Sequence, residues 1–95
     1  MEFEGFDWDE ANRAKCQKHG LSLADIESVF ASRVLILDDL GNSDAEPRFR
    51  AIGVTAKGRR AFVAFTQRGK RIRPICARYM RKMEIVRYEK DNSDL

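Results

Sequence analysis

Ninety-five residues, 43% hydrophobic and 35% charged, describe one small soluble domain with a heavily charged surface. No apolar run approaches the roughly 20 residues that span a bilayer, and the acidic opening "MEFEGFDWDE" lacks the basic and apolar regions of a signal peptide, so a cytoplasmic protein is expected. One histidine and two distant cysteines, Cys16 and Cys76, offer no metal-ligand spacing and read as reduced thiols, so no metal, cofactor or disulfide framework is expected.

The stretch "EFEGFDW" (2–8) sets Phe3, Phe6 and Trp8 around a glycine, as a short strand or an aromatic tether on the core would. Asp9 reads as the N-cap of a helix over 10–18, with Gly20 just past its end. Ser22 caps a second helix, with Asp25 three residues on in the manner of a capping box. Leu23, Ile26, Val29 and Phe30 give that helix one apolar face. "RVLIL" (33–37) is a β-branched, apolar strand, and "DDLGNSDAEP" (38–47) is a polar loop.

Three strands follow, over 48–55, 59–67 and 70–77, joined by the glycine-bearing turns "AKG" and "RG". The middle one is apolar on both faces and is expected to be central. Pro74 lacks an N–H, which places its strand at an edge or gives it a bulge. Tyr79, Met80, Met83 and Val86 predict a helix over 78–89, and "DNSDL" (91–95) a frayed tail. No linker or repeat interrupts residues 1–90, which form one α+β domain with helices on an antiparallel sheet.

The net charge of +3 conceals a polarity along the chain. Residues 1–47 hold four basic and eleven acidic side chains, whereas residues 48–87 hold thirteen basic side chains and one acid, Glu84. A block of net +12 is the electrostatic footprint of a polyanion binder. Arg48 and Arg50 share a strand face by parity, and so do Arg71 and Arg73. If the two faces coincide, four guanidiniums line one side of the sheet and match phosphate oxygens. The plainer reading has the arginine stems lying over apolar surface and their heads pairing with Asp38, Asp39, Asp44 or Glu46. Phe49 and Tyr79 are aromatic candidates for base stacking, although core packing is the commoner role for either.

Such a face could cleave RNA without a metal, because RNA carries its own nucleophile in the 2′-OH. Arginines supply charge stabilisation, and a group titrating near neutrality moves protons. His19 has the suitable chemistry, with Glu46, Glu84 and Tyr88 as less suitable bases. Taken alone, His19 reads as punctuation at a helix C-terminus.

The string "FDWDEANRAKCQKHGLS", followed by "FRAIG", "RGKRIRPICAR" and "RKMEIVRYE", resembles the BrnT toxins over nearly the whole chain and in order. The resemblance implies a RelE-like α+β fold with a mainly antiparallel four- to five-stranded sheet. It also implies a metal-independent ribonuclease toxin of a type II toxin–antitoxin pair that arrests translation and growth. The implied partner is a BrnA-like ribbon-helix-helix antitoxin, in a heterotetramer that binds operator DNA through the antitoxin. By position, Lys18 and His19 match the family K-H-G, Arg48 the arginine that opens the strand before "AIG", Arg73 the inner arginine of R-I-R, and Arg78 the arginine after [SC]-A. These five are the expected catalytic set, with Arg50, Arg71, Arg81 and Tyr88 expected to contact RNA. The chain departs from the pattern at Pro74, where the family has Ile or Val, and at Cys76, where Ser is common. A proline there bends the strand just after Arg73. Two other readings of the basic block remain: a module that binds nucleic acid without cleaving it, and a docking surface for an acidic partner.

Overall fold

Four strands, β1 (Leu35–Asp38), β2 (Arg48–Val54), β3 (Arg60–Arg68) and β4 (Arg71–Tyr79), pair in chain order as one antiparallel sheet. The structure, a computed structural model, describes residues 3–39 and 46–91. Most of the expected loop over 38–47, with Asp44, and residues 92–95 of the expected tail lie outside the described residues. The apolar segment read as central is β3, bonded to β2 on one side and β4 on the other. Gly69 and Lys70 turn the chain between β3 and β4, so that Arg68 faces Arg71.

Helices α1 (Glu10–Cys16) and α2 (Leu23–Ala31) cover one face of the sheet. Both begin with the reciprocal side-chain bonds of a capping box, Asp9 with Asn12 and Ser22 with Asp25. Helix α1 ends two residues before the expected boundary, and Gly20, at φ +98°, turns the chain toward α2. Cys16, Leu21, Ile26 and Val29 from the helical layer meet Ala51, Val63, Phe65, Ile72 and Ala77 from the sheet, all essentially without solvent exposure. Phe3, Phe6, Trp8, Phe30 and Phe49 pack around that cluster.

Of the two readings of the N-terminal aromatic segment, the structure bears out the tether on the core; in place of a strand the segment makes one isolated bridge. Its rings join the core, and its backbone lies parallel to β4 through the bridge Phe6–Ile72. The amide of Ile72 donates to Gly5, and that of Asp7 donates to Ile72. The outer edge of β4 is thereby occupied along part of its length.

The C-terminal helix, α3 (Lys82–Asp91), begins four residues later than the sequence pattern suggests. Arg78 and Tyr79 instead continue the β ladder opposite Phe62 and Ala61, and the Met80 amide donates to Arg60. Pairing to an existing strand outweighs the helical spacing of Tyr79, Met80 and Met83 in this segment. Helix α3 leaves Met83 and Val86 77% and 55% exposed. No helix among the described residues is long and apolar enough to cross a membrane.

Helix α2 approaches β2 so closely that Gly53 has no room for a side chain. A Cβ there would sit 2.6 Å from Ser32 Oγ and 3.0 Å from the Val29 carbonyl oxygen. Gly53→Ala is therefore expected to destabilise the domain by about 1–3 kcal/mol, read as a lower urea midpoint. An unchanged midpoint would show that α2 rides over the methyl group without cost.

Candidate nucleic-acid interface

The strand register decides which side chains share a face. Arg48, Thr66 and Arg73 stand in one cross-strand row; Arg50, Ala64 and Cys76 in the next; Ile52, Phe62 and Arg78 in the third. Arg68 and Arg71 face each other beside the turn. The face not covered by α1 and α2 thus carries Arg48, Arg50, Arg60, Arg68, Arg71, Arg73 and Arg78. The two arginine faces, which parity within each strand left independent, coincide.

One irregularity extends it. Ala64 faces Cys76, while its neighbour Phe65 faces Pro74, so Ile75 is the extra residue of a β-bulge. Side chains alternate along a strand, and residues 73 and 78 would otherwise point to opposite faces. The extra residue resets the alternation and turns Arg78 to the side of Arg73. Pro74 points into the core opposite Phe65, where its missing N–H coincides with the ladder break. Arg73 keeps its place opposite Thr66, so the proline leaves its aim intact.

Each of four guanidiniums on this face rests on a carboxylate. Arg50 meets Asp39 at 3.1 Å, Arg68 meets Glu46 at 2.9 Å, Arg73 meets Asp9 at 2.6 Å and Asp7 at 3.6 Å, and Arg78 meets Glu84 twice, at 2.7 and 2.8 Å. Part of the plainer reading of the arginines therefore also holds. The bonds to the Asn12 amide and to Arg73 hold the Asp9 carboxyl below its ordinary range. The Arg68 guanidinium does the same for Glu46. Glu84 is depressed furthest, to about 2, first by the Arg78 guanidinium and then by the Arg81 amide.

Two of these carboxylates also start helices. Asp9 is the N-cap of α1: its Oδ1 accepts from the Asn12 amide while Oδ2 accepts from Arg73. Glu84 lies in the first turn of α3 and accepts from the amide of Arg81 as well as from Arg78.

The remaining expected site residues fall in two places. Arg71 and Arg81 are exposed on the arginine side and at the entry to α3. Tyr88 lies under the Arg60 guanidinium at 5.1 Å. With Leu35, Leu37, Ile52, Met80 and Met83 it lines a groove of about 390 Å³ between α3 and the open sheet face. Lys18 and His19 are elsewhere. They are exposed in the turn after α1, and the next residue, Gly20, lies against the Tyr79 ring. Tyr79 pairs with buried Ala61 on the helical side of the sheet. The structure sets Arg48, Arg73 and Arg78 on one face, with Arg78 two cross-strand rows from the other two, and leaves Lys18–His19 on the other side.

The aromatic residues also exchange roles. Phe49 stacks on Phe65 in the core at 5.5 Å, and Tyr79 lies on the helical side under Arg59 at 3.5 Å. The ring on the arginine face is Phe62, which sequence reasoning passed over as strand core. Counting back from the Gly69–Lys70 turn would have placed Arg73 opposite Thr66, but Arg78 reaches Phe62 only through the bulge. Among the described residues, no three His, Cys, Asp or Glu side chains converge in a way that could hold a metal ion.

The Arg78–Glu84 pair yields a pH prediction. Glu84 binds its proton less readily in the folded state than in the unfolded state, whose ordinary value is 4.5. The pair's contribution is thus full above that value and lost as pH falls toward about 2. Urea stability measured from pH 6 to 2 should fall less steeply for Glu84→Gln than for the unsubstituted protein. Parallel curves would show that the pair adds nothing to folding.

The arrangement is a one-sided sheet: helices seal one face, and the other holds carboxylate-parked arginines beside an apolar groove. Compared with known families, residues 8–84 match the model of the ribonuclease toxin BrnT of type II toxin–antitoxin systems. No curated protein is similar enough to the chain to match it. The matched stretch runs from Trp8, one residue before the carboxylate that holds Arg73, to Glu84, which holds Arg78. The chain belongs to the BrnT family of ribonuclease toxins of type II toxin–antitoxin systems.

Proposed function

We propose that this toxin cleaves RNA without a metal ion and that its open arginine face is the phosphate site. The observation that carries the reading is the register that sets Arg48, Arg73 and Arg78 on one side of the sheet. In the proposed step, the 2′-oxygen attacks the adjacent phosphorus as its proton leaves. The bond to the 5′-oxygen breaks and that oxygen takes up a proton, giving a 2′,3′-cyclic phosphate and a 5′-hydroxyl end. Negative charge concentrates on the non-bridging oxygens in between. Guanidiniums fixed around that position stabilise it more than the ground state. A phosphate presents the same acceptor geometry to these guanidinium forks as the Asp9 and Glu84 carboxylates do, so it can take their place on Arg73 and Arg78.

Proton transfer at this face falls to side chains on the same side, Glu46 beside Arg68 and Tyr88 at the groove. Lys18 and His19, across the sheet, are assigned to the RNA strand where it passes the end of β4. Arg50, Arg71 and Arg81 widen the phosphate track.

Membership of a type II family implies an antitoxin partner. A BrnA-like ribbon-helix-helix antitoxin, a heterotetramer with operator DNA bound through it, a RelE-like fold and a cytoplasmic site of action that arrests translation are the finer expectations. The family resemblance supports them.

Labelled RNA incubated with purified toxin, with and without EDTA, tests the reading. Cleavage is expected to survive EDTA. Arg73→Ala and Arg78→Ala should lower kcat/KM about a hundredfold, the effect of removing one preorganised donor. His19→Ala should lower it less than tenfold. Loss of cleavage in EDTA would overturn metal independence, and binding without cleavage would favour the non-catalytic module. A His19→Ala defect as large as that of the arginines, in a folded variant, would return proton transfer to the imidazole.

A further inference from the structure

We propose that Phe62 is the stacking platform for one unstacked nucleobase of the RNA substrate. This rests on the reading of the arginine face as the RNA surface. Phe3, Phe6, Trp8, Phe30, Phe49 and Phe65 all belong to or pack against the helical-side core. Phe62 stands apart from them, half-buried, on the open face between Ile52 and Arg78.

Its surroundings suit a base with its phosphate. The Arg78 and Arg50 guanidiniums lie 5.0 and 5.6 Å from the ring centroid. These are outer distances of the attractive range, which ends near 6 Å. Arg59 on Tyr79, at 3.5 Å, is by contrast in full stacking contact. The Tyr79 face is therefore already covered by a cation at contact distance, while the two guanidiniums over Phe62 stand farther off and, among the described residues, no aromatic ring packs on it. A base laid on Phe62 brings its phosphates within reach of Arg50 and Arg78. Ile52, the cross-strand neighbour of Phe62, also lines the apolar groove with Leu35 and Met83, so the surface for a flanking base continues from the platform.

Stacking accepts any base, because every base has a π-face. Phe62 thus selects for the presence of a base and for single strands, whose bases are free to turn out. A ring that served only as a floor for arginine stems would respond to phosphates and be indifferent to bases. That difference makes the proposal testable.

The experiment measures binding by fluorescence polarisation at low salt with two short 2′-O-methyl oligonucleotides that cannot be cleaved. One carries bases and the other has the same sugar–phosphate chain without them. The natural protein is expected to bind the base-bearing strand more tightly by about fivefold to a hundredfold. Phe62→Leu should bind both strands equally, with the affinity of the natural protein for the baseless one. Phe62→Trp should restore the preference, and its added indole emission should be quenched by the base-bearing strand alone, against the Trp8 background of the natural protein. This last measurement decides the matter if Phe62→Leu does not fold. A base preference that survives in folded Phe62→Leu, or no preference in the natural protein, overturns the stacking role and leaves the arginine face as a phosphate site. Failure of the natural protein to bind either strand overturns the RNA surface and the platform together. Unchanged RNA binding by Phe62→Leu with weakened antitoxin binding assigns the ring to a protein interface instead.

Discussion

One extra residue in β4 determines the character of the open face. Without the bulge at Ile75, strand alternation would turn Arg78 toward the helices, where Cys16, Leu21 and Ala61 leave no solvent for a guanidinium. Sealing the core and assembling the arginine row are thus the same structural event. Pro74 fits this event rather than disturbing it. It fills core volume opposite Phe65, and its carbonyl accepts from the Asn12 side chain at 3.0 Å. A strand ladder broken for the bulge has least use for the amide hydrogen that proline lacks.

A sheet with helices on only one face must finish the other face with something water tolerates. This chain uses arginines whose stems cross the sheet and whose heads meet carboxylates from the N-terminal segment, the β1–β2 connection and α3. The acidic first half and basic second half of the sequence are therefore complementary in space. The segregation that suggested a polyanion partner also supplies internal counter-ions. Both follow from one pattern, since guanidinium forks that hold carboxylates match phosphate oxygens in the same way.

Much of the fold was legible because it rests on local chemistry. Asp9 and Ser22 announce their helices by capping geometry, and β3 declares itself central by being apolar on both faces. The start of α3 was misplaced because Tyr79, Met80 and Met83 have helical spacing, while the competing ladder with Ala61 and Phe62 is non-local. The site was legible in part. Parity grouped Arg48 with Arg50 and Arg71 with Arg73, and the proline hinted at a bulge. Parity alone could not place Arg78 or Phe62, because their face depends on where the extra residue falls. Nor could it separate His19 from the arginines, since the course of α1 along β4 is set by burial of Cys16 and the Asn12–Pro74 bond.

The two arginines nearest the proposed chemistry are held in the same way. Arg73 rests on the carboxylate that caps α1, and Arg78 rests on a carboxylate that binds the first amide before α3. In each case a second hydrogen bond on that carboxylate belongs to a helix. A phosphate that draws Arg73 away takes the bond at Oδ2 and leaves the capping bond at Oδ1 of Asp9. Release of Arg78 likewise leaves Glu84 bound to the Arg81 amide. Helix starts also favour a nearby negative charge, so each carboxylate keeps part of its stabilisation after its arginine departs. The guanidiniums can therefore exchange partners without loosening the helices that frame them. The same carboxylates keep the like charges of the open face from opposing the fold.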